Sequence, residues 1–289
     1  MKAVVIATSG DPQVLQVQEV ENPEIGDDEV LSRVDAAAIN RTDTLQRKGL
    51  HPSSKAAVPT RVSNVLESSK LLEKPSFDGR LAIRKIDQCK VCALLSGGGH
   101  AEKVAVPAGQ VLPVLSGVSL KDAAGIPEVA CTVWSTVLMM SRLSAGETFL
   151  VHGGSIGIGT IYSNSEILRS KGKGVDVILD NIGGAYFWGD INGLNVDGRL
   201  FIIGFQGGTV VQVNLSGLLA RRLTVQVAGL QNRSLEKKSV IVSEVEKNVW
   251  PTITGVQVFS IDGSSRGSPA HGKQQAYWED TAYSIILWL

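Results

Sequence analysis

The chain has 289 residues, 43% of them hydrophobic, with 31 glycines and with 28 basic side chains against 28 acidic ones. That length allows one or two domains with a real core, and the balanced charge gives no electrostatic footprint for nucleic acid or an anionic membrane. No apolar run approaches the roughly 18–20 residues of a membrane span, and the first ten residues, MKAVVIATSG, carry neither a signal peptide's apolar stretch nor a transit peptide's Arg-rich helix, so a cytoplasmic protein is expected.

In chain order, Lys2–Ala7 and Val14–Val20 read as strands split by the turn signal Gly10-Asp11-Pro12. Asp28–Asn40 begins with alternation and ends in Ala36-Ala37-Ala38-Ile39-Asn40. Short strands separated by turns predict a β-rich first domain. From Ser53 to about Lys90 there is no period of 2 or 3.6, and such a length reads poorly as a loop inside a compact domain. Cys89 and Cys92 form a C-x-x-C, read here as coincidence. A structural zinc needs a second pair of ligands, and no second C-x-x-C exists. Val91–Leu95 and Ala101–Val106 are further strands flanking Gly97-Gly98-Gly99. Ser119-Leu120-Lys121-Asp122 is a helix start, and Pro127–Arg142 has a helical apolar pattern.

The second half repeats strand, glycines, helix, strand. Thr148–His152 is a short β run, followed at once by Gly154-Ser155-Ile156-Gly157-Ile158-Gly159. Val175–Leu179, Arg199–Ile203 and Leu223–Ala228 are continuous apolar strands, and Leu235–Val249 is a helix ended by Trp250-Pro251. Continuous apolar strands between helices predict a parallel sheet covered on both faces. The glycine cluster matches G-x-x-G-x-G. Glycines between a strand and a helix let backbone N–H groups approach a pyrophosphate at a helix N-terminus. The alternative is a purely structural glycine turn. His152, just before the cluster, reads as packed rather than catalytic.

Several motifs together resemble the zinc-free quinone oxidoreductases of the medium-chain dehydrogenase/reductase superfamily. They are Ala36–Asp43 (like A-x-N-R-x-D), Gln46–Gly49, Ala93–Glu102 (like G-G-x-A-E), Ala123–Glu128, the glycine cluster, and Asp197-Gly198-Arg199 before a strand. The resemblance covers about two thirds of the chain in the family's order. It implies an α/β protein: a GroES-like β-barrel domain (1–118 and 245–289, with 53–90 and 260–289 atypical) plus an incomplete Rossmann domain with a doubly wound parallel sheet (119–244). It also implies NADPH as cofactor, a small-molecule quinone or activated enone as substrate, a homodimer or homotetramer, and no partnership with nucleic acid or membrane. Neither the G-H-E motif nor the Cys cluster of the zinc-binding relatives is present, so no metal is expected. Asn40 would orient the nicotinamide or substrate through its amide. Gly154, Ser155, Gly157 and Gly159 would hold the pyrophosphate, and Asn181 and Gly204 would line the cleft. As bland alternatives, Asn40 caps a turn and Asn181 is an ordinary loop residue.

The chain departs from that pattern in three places. Only the 15 positions Thr160–Gly174 separate the glycine cluster from the next apolar strand. One helix of about 11–12 residues fits there, but a second and a third strand do not. The residue that reads the adenosine ribose, expected about 20 residues on, then has no strand to end, and the Rossmann domain reads as truncated near 160–174. Second, Pro59–Glu67 stands where the family has P-Y-P-G-L-E-C-S-G. The codons ccc-tac-ccg-ggt-ctc-gaa-tgt-tct-gga-a, read one base later, give cct-acc-cgg-gtc-tcg-aat-gtt-ctg-gaa, which encodes Pro59–Glu67. Third, Ser265–Tyr283 relates in the same way to a family-like ending. Two frame-shifted segments and an exon's loss after Thr160 are the expectation, with divergent loops as the alternative. An in-frame transcript would overturn the shift. Two functions from different classes follow: an NADPH-dependent quinone oxidoreductase, or a catalytically impaired remnant acting at most as a binding protein.

Overall fold

A computed structural model describes residues 1–51, 67–71, 90–152, 174–253, 257–258 and 285–286. The glycine cluster, Cys89, Pro59–Leu66 and Ser265–Tyr283 lie outside the described residues.

The first part of the chain is antiparallel, as the turn-punctuated strands predict. Strands β1 (Lys2–Ile6) and β2 (Leu15–Glu19) form a hairpin closed by Pro12–Val14, with Lys2 opposite Glu19 and Ile6 opposite Leu15. A five-stranded sheet follows, in the order β6 (Lys103–Pro107), β3 (Glu29–Ala37), β4 (Glu67–Leu71), β5 (Lys90–Ala93), β7 (Val111–Pro113), every pair antiparallel. β4 falls inside the stretch whose sequence shows no period. Its backbone completes the ladder between β3 and β5, so tertiary pairing rather than side-chain pattern makes it a strand. A bridge from Ala3 to Ala101 joins the hairpin to this part. Val30, Val91, Ala93, Leu95, Val104 and Val106 form its own core, on the alternate residues that a half-buried strand turns inward.

Helix α1 (Arg41–Arg47) leaves the end of β3. Further on, Ser119 caps α2 (Leu120–Ala123), its hydroxyl accepting the Asp122 N–H at 3.1 Å. Then α3 (Ile126–Val133) runs into a π-helical stretch, Trp134–Met140. The Ser135 and Ser141 hydroxyls donate to the Thr132 and Val137 carbonyls there, a side-chain competition that bends helices. Leu120–Met140 spans 21 residues, and an 18-residue window in it, with a mean hydropathy of 1.3, is long and apolar enough by composition alone to cross a membrane, although 67% of that window is buried inside the protein. Its apolar face is packed: Ile126, Val129, Ala130, Cys131, Val133 and Val137 sit in the main core.

The second half is the expected parallel sheet, in the order β11 (Thr224–Val227), β10 (Leu194–Ile202), β9 (Val175–Asp180), β8 (Phe149–Val151). Val177, Leu179 and Phe201 point to one face, against α3 and α6 (Leu235–Asn248). Ile178, Leu200 and Ile202 point to the other, against α4 (Phe187–Gly193). Burial on both faces is why β9 and the end of β10 carry apolar runs, whereas β11, read from the sequence as another such strand, is largely exposed, with Val227 at 60%. Helix α5 (Leu215–Arg221) precedes β11 and ends at Arg222 in the left-handed region, φ 52°. The main core is continuous across both halves: Cys92, Leu94 and Leu112 from the antiparallel part join Phe149, Ile241, Val245 and Trp250. The Trp250 indole N–H donates to the Pro113 carbonyl at 2.8 Å, a polar tie between the same halves. Short β12 (Gln257–Val258) and β13 (Ile285–Ile286) pair antiparallel near the end of the chain.

Phe149 is 1% exposed at the start of β8. Phe149→Ala is expected to cost about 3–5 kcal/mol, read as a lower urea midpoint with an unchanged slope. A loss under 1 kcal/mol would mean that β8 is not docked in the core.

Candidate active site

Asn40 sits at the N-cap of α1 in extended conformation, and its own N–H donates to the Asp43 carboxylate at 2.6 Å. Its side-chain amide donates to Glu128 Oε2 on α3 at 3.3 Å. Asn40 therefore both caps a helix and reaches across to the second half of the molecule. Around it stand His100, whose Nε2 is 4.0 Å from Asp43 Oδ1, and Lys238 on α6, whose ammonium donates to the Ser96 hydroxyl at 2.7 Å. Burial holds His100 neutral, with a pKa lowered to about 4. Burial, and then the Asp43 charge, push the Glu128 carboxyl up to about 7, against the pull of Lys238. Burial lowers Lys238, and Glu128 partly restores it. Cys92 and Cys131 are buried and free. Burial pushes the Cys92 thiol up to about 12 and the Cys131 thiol higher, so neither offers a thiolate nucleophile.

The second group lies at the carboxyl ends of β8 and β9. Asp180 ends β9 and closes a turn: its two oxygens accept the Ile182 N–H at 2.6 Å and the Gly183 N–H at 2.8 Å. Gly183 has φ 79°, and a Cβ there would lie 2.9 Å from the Gly208 carbonyl, so this turn requires glycine. Asn181 and Gly204, separated by 23 positions, meet: a Cβ on Gly204 would lie 2.8 Å from the Asn181 carbonyl oxygen. Asn181 is 8% exposed, and its side-chain oxygen has no hydrogen-bond partner among the described residues. His152, following β8, bonds through Nε2 to Asp190 Oδ1 on α4 at 2.5 Å and meets the Tyr186 ring edge-on at 5.0 Å. It is packed, as the sequence suggests. The hydrogen bond to Asp190 raises its pKa, opposed by burial.

Of the residues singled out from sequence, then, Asn181 and Gly204 are brought together at the sheet end, and Asn40 is joined to Glu128. Gly154, Ser155, Gly157 and Gly159 lie outside the described residues. Lys238, His100 and Asp190 were missed. Lys238 left a signal: it occupies the inward stripe of α6 with Ile241, Val242 and Val245, where an ammonium is out of place.

A carboxyl whose folded pKa lies above its unfolded value near 4.5 destabilises the fold as pH rises. Between about 4.5 and 7 the folded chain holds a proton on Glu128 that the unfolded chain has lost, so stability falls through that window. Glu128→Gln should flatten this slope and leave the variant more stable than wild type at pH 8, by on the order of 2 kcal/mol, and near wild type at pH 4. Parallel pH–stability curves for the two proteins would refute the shift.

No protein-family model matches the sequence. A search of curated proteins finds rat quinone oxidoreductase at 25% identity over 306 residues, spanning 84% of this chain and 90% of that protein. Mouse quinone oxidoreductase is 24% identical, with the same coverage. Among solved structures, Escherichia coli quinone oxidoreductase complexed with NADPH superposes with a TM-score of 0.71 at 19% identity, covering 88% of each chain. A mycobacterial protein complexed with NADPH gives 0.72 at 22% identity, covering 89% of this chain and 91% of that one. The chain shares with these proteins the α/β architecture of an antiparallel domain joined to a Rossmann-like parallel sheet, and its sequence is similar to those of quinone oxidoreductases along most of its length.

Proposed function

We propose that this chain is an NADPH-dependent oxidoreductase that reduces a small-molecule quinone or activated enone without zinc. One observation carries the reading. The glycine cluster begins directly after β8, and the Asp180–Gly184 turn closes β9, its direct parallel neighbour. Dinucleotides bind outside the carboxyl ends of such strands, at the point where the chain's winding reverses.

The residues at this edge fit the nicotinamide end of the cofactor. The buried, unpartnered Asn181 oxygen can accept an amide N–H, and Gly204 keeps the neighbouring backbone bare. The cofactor, when bound, supplies a hydride. Asn40 orients the reacting groups through its amide, and Glu128, bonded to that amide, holds a proton up to about pH 7. Reduction of a quinone to a hydroquinone consumes a proton as well as a hydride, so a proton store in contact with Asn40 suits the reaction.

A homodimer is part of the same proposal. α5 buries none of its residues, and Val210, Leu215 and Leu219 are 89%, 70% and 81% exposed beside β11, the outer strand of the sheet among the described residues. An apolar face of that kind, next to a strand edge, suits a second copy. Leu219→Asp should convert a dimer seen by light scattering into a monomer, and a wild-type monomer would refute the pairing.

The second reading, an inactive remnant, is favoured by the connection from β8 to β9. Residues 152–174 leave room for one crossover and not for the strands that would flank the adenosine half. Fluorescence titration separates the two. Saturable binding of NADPH over NADH, with Asn40→Ala lowering kcat/KM for a soluble quinone roughly 100-fold at unchanged NADPH affinity, supports the enzyme. No binding at millimolar NADPH supports the remnant.

A further inference from the structure

At the carboxyl ends of β8 and β9, the edge on which the proposed function rests, the side chains of His152 and Asp190 have no role in that reading. His152, Asp180 and Asp190 come from the end of β8, the end of β9 and α4, and one ligand atom of each lies within 4.8 Å of the other two. Both carboxylates are buried, Asp180 at 0% and Asp190 at 3% exposure. Among the described residues, His152 is the only cationic group paired with either. Two carboxylates out of water against one imidazole leave an imbalance that protein interiors ordinarily correct with a further cation. The Asp190 Oδ2 atom marks where that cation is missing. It is buried and has no hydrogen-bond partner among the described residues, whereas Oδ1 takes the His152 bond.

We propose that His152, Asp180 and Asp190 form a site for a divalent first-row transition metal. One imidazole and two carboxylates are a borderline-to-hard donor set suited to Zn²⁺, Mn²⁺, Fe²⁺ or Co²⁺, and three protein ligands leave positions for water. The supporting shell is in place. Backbone N–H groups of Ile182 and Gly183 fix the Asp180 carboxylate, and each of its oxygens retains a lone pair. The Tyr186 ring packs edge-on against the imidazole. His152, with 19% of its side chain exposed, is the solvent-facing member and so the path of entry. In binding, the metal takes the place of the proton between His152 Nε2 and Asp190 Oδ1. The site differs from a zinc centre built on cysteines: Cys92 and Cys131 are buried and form no part of it.

The probe is Co²⁺ alone, titrated into the chelator-treated full chain and followed by visible absorption. The expected result is one Co²⁺ per chain, with d–d bands of nitrogen and oxygen ligation and no thiolate charge-transfer band. Asp190→Asn and His152→Gln should each weaken binding by more than about tenfold, with far-ultraviolet circular dichroism unchanged. Asp197→Asn, which alters a carboxylate 64% exposed outside the cluster, should bind as wild type. A thiolate band, no protein-dependent band, or equal affinity in both cluster variants would overturn the site. If the cluster variants fail to fold, the wild-type spectrum and stoichiometry still decide. None of these readouts depends on NADPH binding, so failure of the metal site and failure of the proposed activity are distinguishable.

Discussion

The cofactor side of the molecule depends on the parallel pairing of β8 with β9. Phe149 lies opposite Val177, Leu150 opposite Ile178 and Val151 opposite Leu179. That register places the end of β8 beside the end of β9, and so sets His152 near Asp180 and the Asp180–Gly184 turn. β8 is only three residues long. Its hold comes from Phe149 in the main core and from the ladder, extended by the His152 N–H donating to the Leu179 carbonyl at 3.0 Å. A parallel pair needs a crossover of a dozen or more residues, and residues 152–174 supply one.

The two halves are joined by apolar and polar contacts that do different things. The shared core gives most of the stability, through area removed from water. The polar ties (Asn40 to Glu128, Lys238 to Ser96, Trp250 to Pro113) fix how α1, α3 and α6 meet the antiparallel part. Each leaves a buried group whose partner cannot be removed cheaply. The Gln46 amide and the Arg47 guanidinium are a contrasting case. Both residues are buried on α1, and the Gln46 amide and the two terminal Arg47 nitrogens have no partner among the described residues. They belong to the motif Gln46–Gly49 that carries the family resemblance, and they precede the segment whose sequence departs from it.

Much of the fold was legible because most strands obey a simple rule. Val175–Asp180 and the end of β10, residues 200–202, are buried on both faces, which is why Val175–Leu179 and Arg199–Ile203 read as apolar runs, whereas the exposed Val196 and Asp197 of β10 left no such signal. Lys103–Pro107 is buried on one face and alternates, whereas Glu29–Ala37 buries Val30, Leu31 and Ser32 in succession. β4 was illegible, since ESSKL has no apolar pattern and only its neighbours make it a strand. The π-helical turn after α3 was illegible for a similar reason, because its apolar spacing passes for α. In the site, Asn40, Asn181 and Gly204 were found through motif resemblance. Asp190 was not, because its partner is 38 residues away in sequence and no local pattern links them. Glu128 was noted only as part of a motif, though a carboxylate between Ile126 and Val129 in an apolar helix is itself a signal.

The account rests on β8 being a true member of the parallel sheet despite its length and the short crossover beyond it. Amide hydrogen exchange, read by mass spectrometry on the intact chain, tests this directly. If β8 is docked as described, the amides of residues 149–152 exchange slowly and together with those of 175–180 and 199–202, as one cooperative unit. Rapid exchange in 149–152 beside a protected β9 and β10 would contradict the account, and would remove the geometry that brings Asp180 and His152 to one edge.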